Sequence, residues 1–155
     1  MRRVLFVCMG NICRSPIVES VARVEFARAG VDVHVASAGT ESYHVGNQAD
    51  PRAIRVAELR GYPLSEHRAR QVQVLDFATF DHLLAMDRVN LEALQRISPA
   101  SARSNHSLFL VSAGLGNTEV PDPYYGVQAD FERVVDLARA GVAGLIGQAR
   151  MMGEP

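Results

Sequence analysis

The sequence contains no lysine: all sixteen of its basic residues are arginine, set against seventeen acidic residues. The net charge at pH 7 is −1, so bulk charge gives no reason to expect binding to nucleic acid or to a membrane surface. We attribute the absence of lysine to the base composition of the gene. Hydrophobic residues make up 48% and charged residues 21%, a balance typical of globular proteins.

Long apolar runs are also missing. The run that follows Arg2 and Arg3 ends before Gly10, after about five residues, whereas a signal peptide needs roughly 7–15. No stretch approaches the ~20 apolar residues of a membrane span. We therefore expect a cytoplasmic protein. Export by a route that needs no signal peptide stays an alternative.

Cysteine is scarce, and metal-binding or nucleotide-binding patterns are absent. Cys8 and Cys13 lie in one loop, which is not the framework of a secreted disulfide protein. The five histidines have no paired ligand spacing, and neither Gly-x4-Gly-Lys-Ser/Thr nor Gly-x-Gly-x-x-Gly occurs. We predict no metal and no cofactor.

One stretch near the N-terminus carries the clearest chemistry. Val4–Val7 predicts a buried strand that ends at Cys8, and Pro16 is typical of the first turn of a helix. A loop that leads into a helix N-terminus points its N–H groups at a common centre and binds phosphate well. Arg14 could hold two phosphoryl oxygens, and the same field, with a hydrogen bond from Ser15, favours the Cys8 thiolate.

The remaining pattern predicts an α/β fold in a single three-layer domain. A four-stranded parallel sheet is flanked by helices, and the phosphate loop joins strand 1 to helix 1. Gly10 and Asn11 are expected to supply left-handed backbone angles to this loop. The other predicted strands are Val31–Ser37, Phe80–Ala85 and Ser107–Val111; the predicted helices run from Ile17 to Gly30, Pro51 to Arg60, Val72 to Phe77, Asn90 to Ile97 and Phe131 to Ala149.

The string CMGNICRSP, together with Asp-Pro-Tyr-Tyr beginning at Asp122, resembles the low-molecular-weight protein tyrosine phosphatases. The resemblance covers residues 1–155 as one domain. It implies a phosphocysteine intermediate on Cys8, phosphate binding by Arg14 and the loop amides, and Asp122 as general acid. Without the Cys8 loop, an Asp-Pro turn that caps the last helix is the better interpretation of Asp122, and the resemblance reverses this preference.

The resemblance also implies roles for the residues around these three. An aromatic wall beside the cleft and the residues of the loop would bind a phosphotyrosyl group, namely Tyr43, Tyr124, Tyr125, Met9, Gly10, Asn11, Ile12, Cys13 and Ser15. His67 and Asp87 are expected to support the loop from behind, although an exposed histidine is as good an interpretation of His67. Cys13 is either a small buried side chain or a thiol that forms a disulfide with Cys8 on oxidation.

Three alternative functions are less well supported by the sequence. Arsenate reductases with a similar loop need further cysteines, and none follows Cys13. Protein arginine phosphatases of this family typically carry threonine where this chain has Ile12. A non-catalytic phosphotyrosine-binding module would need neither the thiol nor the acid. We expect a phosphotyrosyl protein as the partner, a tyrosine kinase being one candidate.

Overall fold

A computed structural model describes residues 2–102 and 105–151 of the chain. Four parallel strands form one sheet in the order β2-β1-β3-β4. These are β1 (Arg3–Cys8), β2 (His34–Gly39), β3 (His82–Ala85) and β4 (Asn105–Leu108); the helices are α1 (Arg14–Ala29), α2 (Pro51–Leu59), α3 (Asp76–Thr79), α4 (Arg88–Ile97), α5 (Phe109–Ser112) and α6 (Gln128–Met151). The predicted fold class is confirmed.

The sheet is buried on both faces, which makes three layers. Val4 and Phe6 of β1 point to the side of α1, α2, α5 and α6, while Leu5 and Val7 point to the side of α3 and α4. Strict alternation of side chains along a strand produces this division. Because both faces are covered, β1 is an unbroken apolar run, which is typical of a parallel sheet.

The second strand begins later than the predicted Val31–Ser37. Gly30 has φ 72°, its N–H donates to the Ala27 carbonyl, and the Val31 N–H donates to the Phe26 carbonyl. This is the hydrogen-bond pattern of a Schellman cap, in which the residue after the glycine packs back onto the helix. The apolar character of Val31 therefore belongs to the end of α1, and β2 starts at His34.

The fourth strand is shifted relative to the predicted Ser107–Val111. It ends at Leu108, and the chain turns at once into the short helix α5. The ring of Phe109 lies where a Cβ on Gly141 of α6 would be, so the glycine at this position leaves room for α5. An apolar run of this length does not separate a strand from a buried turn of helix by periodicity.

The carboxyl ends of β1, β2 and β3 meet at one edge of the sheet. Cys8, Gly39 and Ala85 end these strands, and a cleft there is the expected ligand site of an open α/β sheet. Within residues 2–102 and 105–151, no helix is long and apolar enough to cross a membrane. The end of the predicted C-terminal tail, 152–155, lies outside the described residues.

Candidate active site

Cys8 lies at the floor of the loop between β1 and α1, with 3% of its surface exposed. Its Sγ is 3.0 Å from the Ser15 Oγ and 3.3 Å from the Asn11 backbone nitrogen, whose N–H donates to it. Two polar groups of the loop are thus directed at one sulfur atom. Hydrogen bonds of this kind stabilise a thiolate more than a thiol.

The turn of the loop depends on Asn11, which is fully buried. Its φ is 58°, a left-handed angle that asparagine tolerates better than most residues. Gly10 does not share this angle, so that part of the prediction is wrong. Glycine is needed there for space, because a Cβ would come 3.0 Å from the ring of His44.

The Asn11 side chain ties the loop to three other segments. Its Nδ2 donates to the Ser15 Oγ at 2.9 Å and to the Ser37 Oγ at 3.0 Å, and its Oδ1 accepts from the Arg70 N–H at 2.9 Å. The Ser37 hydroxyl in turn donates to the Glu19 carboxylate at 2.6 Å. Three of the four hydrogen-bonding sites of the side-chain amide are therefore occupied. These bonds fix the orientation of the amide and the conformation of the loop.

His67 lies behind the loop and contacts it through one hydrogen bond. Its Nε2 is 2.8 Å from the Asn11 carbonyl oxygen, which is an acceptor only, so Nε2 carries the proton. Burial lowers the pKa of His67, and the hydrogen bond to the Asn11 carbonyl only partly opposes this. The side chain is therefore a neutral donor near pH 7.

Arg14 begins α1 and is 3% exposed. Its Nη1 donates to the Asp87 carboxylate at 2.6 Å and to the Val120 carbonyl at 3.0 Å. Burial lowers the pKa of Arg14, but the charges of Cys8, Asp87 and Asp122 outweigh this and raise it. Asp87 also caps α4 by accepting from the Asn90 N–H, so it holds the guanidinium from a fixed point.

Asp122 lies across the cleft from the loop. One carboxylate oxygen is 3.9 Å from the Arg14 Nη2, and the other accepts from the Tyr124 N–H at 3.1 Å. Its side chain is about half exposed. The two flanking prolines and this turn hold a carboxyl group at the mouth of the cleft, within reach of a group bound to Arg14.

These residues surround a cavity of about 390 Å³. Tyr43 and Tyr125 are mostly exposed at its rim, and the ring of Tyr124 meets that of Tyr125 edge to face, with centroids 4.9 Å apart. The lining residues are Cys8, Met9, Gly10, Ile12, Cys13, Arg14, Tyr43, His44, Asp122, Tyr124 and Tyr125. Four predicted site residues lie behind this lining. Asn11, Ser15 and Asp87 contact lining residues, and His67 contacts Asn11.

Cys13 is buried beside the loop at the N-terminus of α1, and both cysteines are free thiols. Burial raises the pKa of Cys13 far above its ordinary value, and the nearby charges of Asp50, Cys8 and Asp122 add to this. Cys13 is therefore a protonated thiol at neutral pH. Cys8, in contrast, receives the hydrogen bonds of the loop.

Several groups that hold the site together could not be recognised from the sequence. The Val120 carbonyl is a backbone group, and Arg70 contacts Asn11 through its backbone N–H, so residue type says nothing about either. Glu19 reaches the loop only through the Ser37 hydroxyl. His44 lines the cavity, and its position next to Tyr43 was the only available hint.

Known proteins resemble this chain over most of its length. The family model "Low molecular weight phosphotyrosine protein phosphatase" matches residues 3–152. The low molecular weight protein-tyrosine-phosphatase of Streptomyces coelicolor is 44% identical over 155 residues, covering 96% of this chain and 93% of that protein.

Solved structures superpose on nearly the whole chain. A protein tyrosine phosphatase from Entamoeba histolytica superposes with a TM-score of 0.91 at 36% identity, covering 99% of both chains. A Drosophila arginine phosphatase superposes with a TM-score of 0.89 at 26% identity, covering 97% of this chain and 98% of that one. The resemblance that the sequence suggested is confirmed.

Proposed function

Because this chain belongs to the low molecular weight phosphotyrosine protein phosphatase family, we propose that it hydrolyses phosphotyrosine in proteins through a phosphocysteine intermediate on Cys8. The observation that carries the proposal is the arrangement around the Cys8 sulfur. A buried thiol receives the Asn11 N–H, and Arg14 and Asp122 line the same cavity. Phosphate binding alone requires neither the sulfur nor the acid.

The hydroxyl of Ser15 supports a nucleophilic thiolate. Because the Asn11 Nδ2 donates to the Ser15 Oγ, the hydroxyl proton of Ser15 is free to point elsewhere. The Cys8 Sγ is 3.0 Å away, whereas the alternative acceptor, the Ala38 carbonyl, is 3.5 Å away. A thiolate accepts only, so Ser15 must be the donor when Cys8 is ionised.

Arg14 and the loop amides would bind the phosphoryl oxygens. Asp87 and the Val120 carbonyl hold the guanidinium by Nη1, and Nη2 lies on the side of Asp122. Arginine presents a planar fork that matches two phosphoryl oxygens. A guanidinium fixed before substrate arrives needs little reorganisation as negative charge shifts in the transition state.

Asp122 would act first as acid and then as base. In the first step the Cys8 thiolate forms the S–P bond, the P–O bond to tyrosine breaks, and Asp122 gives its proton to the tyrosyl oxygen. In the second step a water molecule attacks phosphorus and passes a proton to Asp122, and the S–P bond breaks to release phosphate and the thiolate. This role requires Asp122 to carry a proton when the substrate binds.

The lining of the cavity favours an aromatic substrate. Tyr43, Tyr124 and Tyr125 would flank a flat phosphotyrosyl ring, and a buried sulfur would favour a long aryl phosphate over a short phosphoseryl side chain. Ile12 adds an apolar wall where the related arginine phosphatases typically have threonine. The partner is thus a phosphotyrosyl protein, a tyrosine kinase being one candidate.

Turnover of 4-nitrophenyl phosphate tests the enzyme proposal. The parent protein should hydrolyse it, and Cys8→Ser should not. Cys13→Ser is the matched control, since it changes the other thiol of the loop and should retain turnover. Undiminished hydrolysis by Cys8→Ser would remove the phosphocysteine route.

A panel of phosphotyrosyl, phosphoseryl and phosphoarginyl peptides, each with and without EDTA, tests the substrate class. Phosphotyrosine should be hydrolysed fastest, and EDTA should change nothing because the proposed groups are all protein side chains. Preference for phosphoarginine would assign the chain to the arginine-directed branch. Loss of activity in EDTA would require a different mechanism.

A further inference from the structure

Arg52, in the first turn of α2, lies outside the cavity but contacts its aromatic wall. Its Cζ is 5.5 Å from the ring centroid of Tyr124 and 4.6 Å from that of Phe131, both within the range of a cation–π contact. Phe131 is fully buried in the first turns of α6, whereas Tyr124 is exposed. The guanidinium therefore links an exposed loop tyrosine to the buried core.

The other side of Arg52 is held by the buried carboxylate of Asp50. The Nε donates to Oδ1 at 3.0 Å and Nη2 donates to Oδ2 at 2.8 Å, a paired geometry that fixes the plane of the guanidinium. The Asp50 N–H donates to the Ile12 carbonyl at 2.9 Å. A continuous chain of contacts thus runs from the catalytic loop through Asp50 and Arg52 to Tyr124.

The series of contacts from the loop through Arg52 ends at Asp122. The Tyr124 N–H donates to the Asp122 carboxylate, so the position of Tyr124 sets the direction of that carboxyl group. We propose that Arg52 is a positioning residue that holds Tyr124 against the catalytic loop and thereby aims Asp122 at the leaving oxygen. The inference rests on the proposed function, because it assumes that Asp122 is the general acid.

The experiment compares two substrates that differ in their need for an acid. Phenyl phosphate has a poor leaving group and needs the proton, whereas 4-nitrophenyl phosphate has a good one and depends on it much less. In Arg52→Met, kcat/KM should fall about threefold to fivefold for phenyl phosphate, the size of one exposed cation–π contact, and by a much smaller factor for 4-nitrophenyl phosphate. Arg52→Lys should recover part of the loss because it keeps the cation.

Two controls separate positioning from a general structural effect. Arg55→Met removes an exposed arginine from the same helix and should match the parent on both substrates. In a Tyr124→Leu background, Arg52→Met should have no further effect, because the two changes then act through one contact. Arg52→Met should fold, since the Asp50 carboxylate still caps α2 by accepting from the backbone N–H of residue 52.

The outcomes are distinct. Equal losses on both substrates, or an undiminished effect in the Tyr124→Leu background, would overturn the role of Arg52 while leaving the phosphatase proposal intact. If Arg52→Met does not fold, Tyr124→Leu alone carries the test. Loss of the aromatic wall should lower kcat/KM for both substrates, and the expected result is a clearly larger loss for phenyl phosphate than for 4-nitrophenyl phosphate. A parent protein with no turnover that depends on Cys8 would overturn both proposals.

Discussion

Replacing Asn11 is the most direct test of how the loop is held. Asn11→Ala removes two hydrogen bonds donated by Nδ2 and one accepted by Oδ1, all in a fully buried site. It also places alanine at φ 58°, where it has no local hydrogen bond to offset the strain. Asn11→Gly removes the same three bonds without that strain.

The two variants should differ by a definite amount. Three net hydrogen bonds at about 1 kcal/mol each predict a loss of about 3 kcal/mol in the free energy of unfolding for Asn11→Gly. The left-handed angle adds roughly 1 kcal/mol for Asn11→Ala, giving about 4 kcal/mol. A domain with about 5–15 kcal/mol of stability should still fold at 25 °C, with a melting temperature lower by roughly 8–16 °C.

Activity should fall with stability, because the same residue shapes the environment of the sulfur. A misplacement of about 1 Å in the loop could cost roughly 10²-fold in kcat/KM. Urea unfolding and turnover of 4-nitrophenyl phosphate on the same samples measure both effects. Asn47→Ala is the control, since Asn47 is exposed and should change stability by less than about 0.5 kcal/mol. A loss below about 1 kcal/mol in Asn11→Ala would refute the argument that this amide network holds the loop.

The remaining predictions concern the acid, the second thiol and the supporting histidine. Asp122→Ala should slow phenyl phosphate far more than 4-nitrophenyl phosphate in steady-state assays; equal slowing would remove Asp122 as the acid. On treatment with peroxide, Cys8 should become a sulfenic acid that the Cys13 thiol converts to a disulfide with release of water, and recovery by added thiol should follow. Because burial raises the pKa of Cys13, disulfide formation should quicken as the pH rises; Cys13→Ser with unchanged inactivation and recovery would contradict this. The lowered pKa of His67 means that the unfolded chain takes up its proton first, so stability should be lost as the pH falls below about 6.5. Urea unfolding of His67→Gln should show a weaker pH dependence in this range, and a parallel dependence would refute the prediction.

Local signals in the sequence were sufficient for much of the fold. Asp50 before Pro51 predicts the start of α2, and in the structure the Asp50 carboxylate accepts from the Arg52 N–H there. Gly30 predicts the end of α1, where it adopts φ 72°. These elements obey rules that involve only neighbouring residues, which is why they could be read without the fold.

The errors occurred where apolar residues serve a purpose that is not local. Val31 is apolar because it packs under the cap of α1, and Phe109 is apolar because it fills the space left by Gly141. Neither fact is available before the helices are packed. Periodicity assigned both to strands, because short apolar runs are common to strands and to buried turns.

The residues of the candidate site fall into the same two groups, those that could be predicted from the sequence and those that could not. Residues that touch a substrate could be proposed from residue type and spacing, since a thiol, a guanidinium and a carboxyl group are needed whatever the fold. Among the residues that hold these groups in place, His67 and Asp87 were expected only from the resemblance. Arg52 and Arg70 were not expected, because they contact distant segments, and Arg70 contacts Asn11 through its backbone N–H alone. The precision of the loop is thus encoded mainly in its surroundings, and substitutions there should alter how well the acid and the thiolate are aimed before they alter which groups are present.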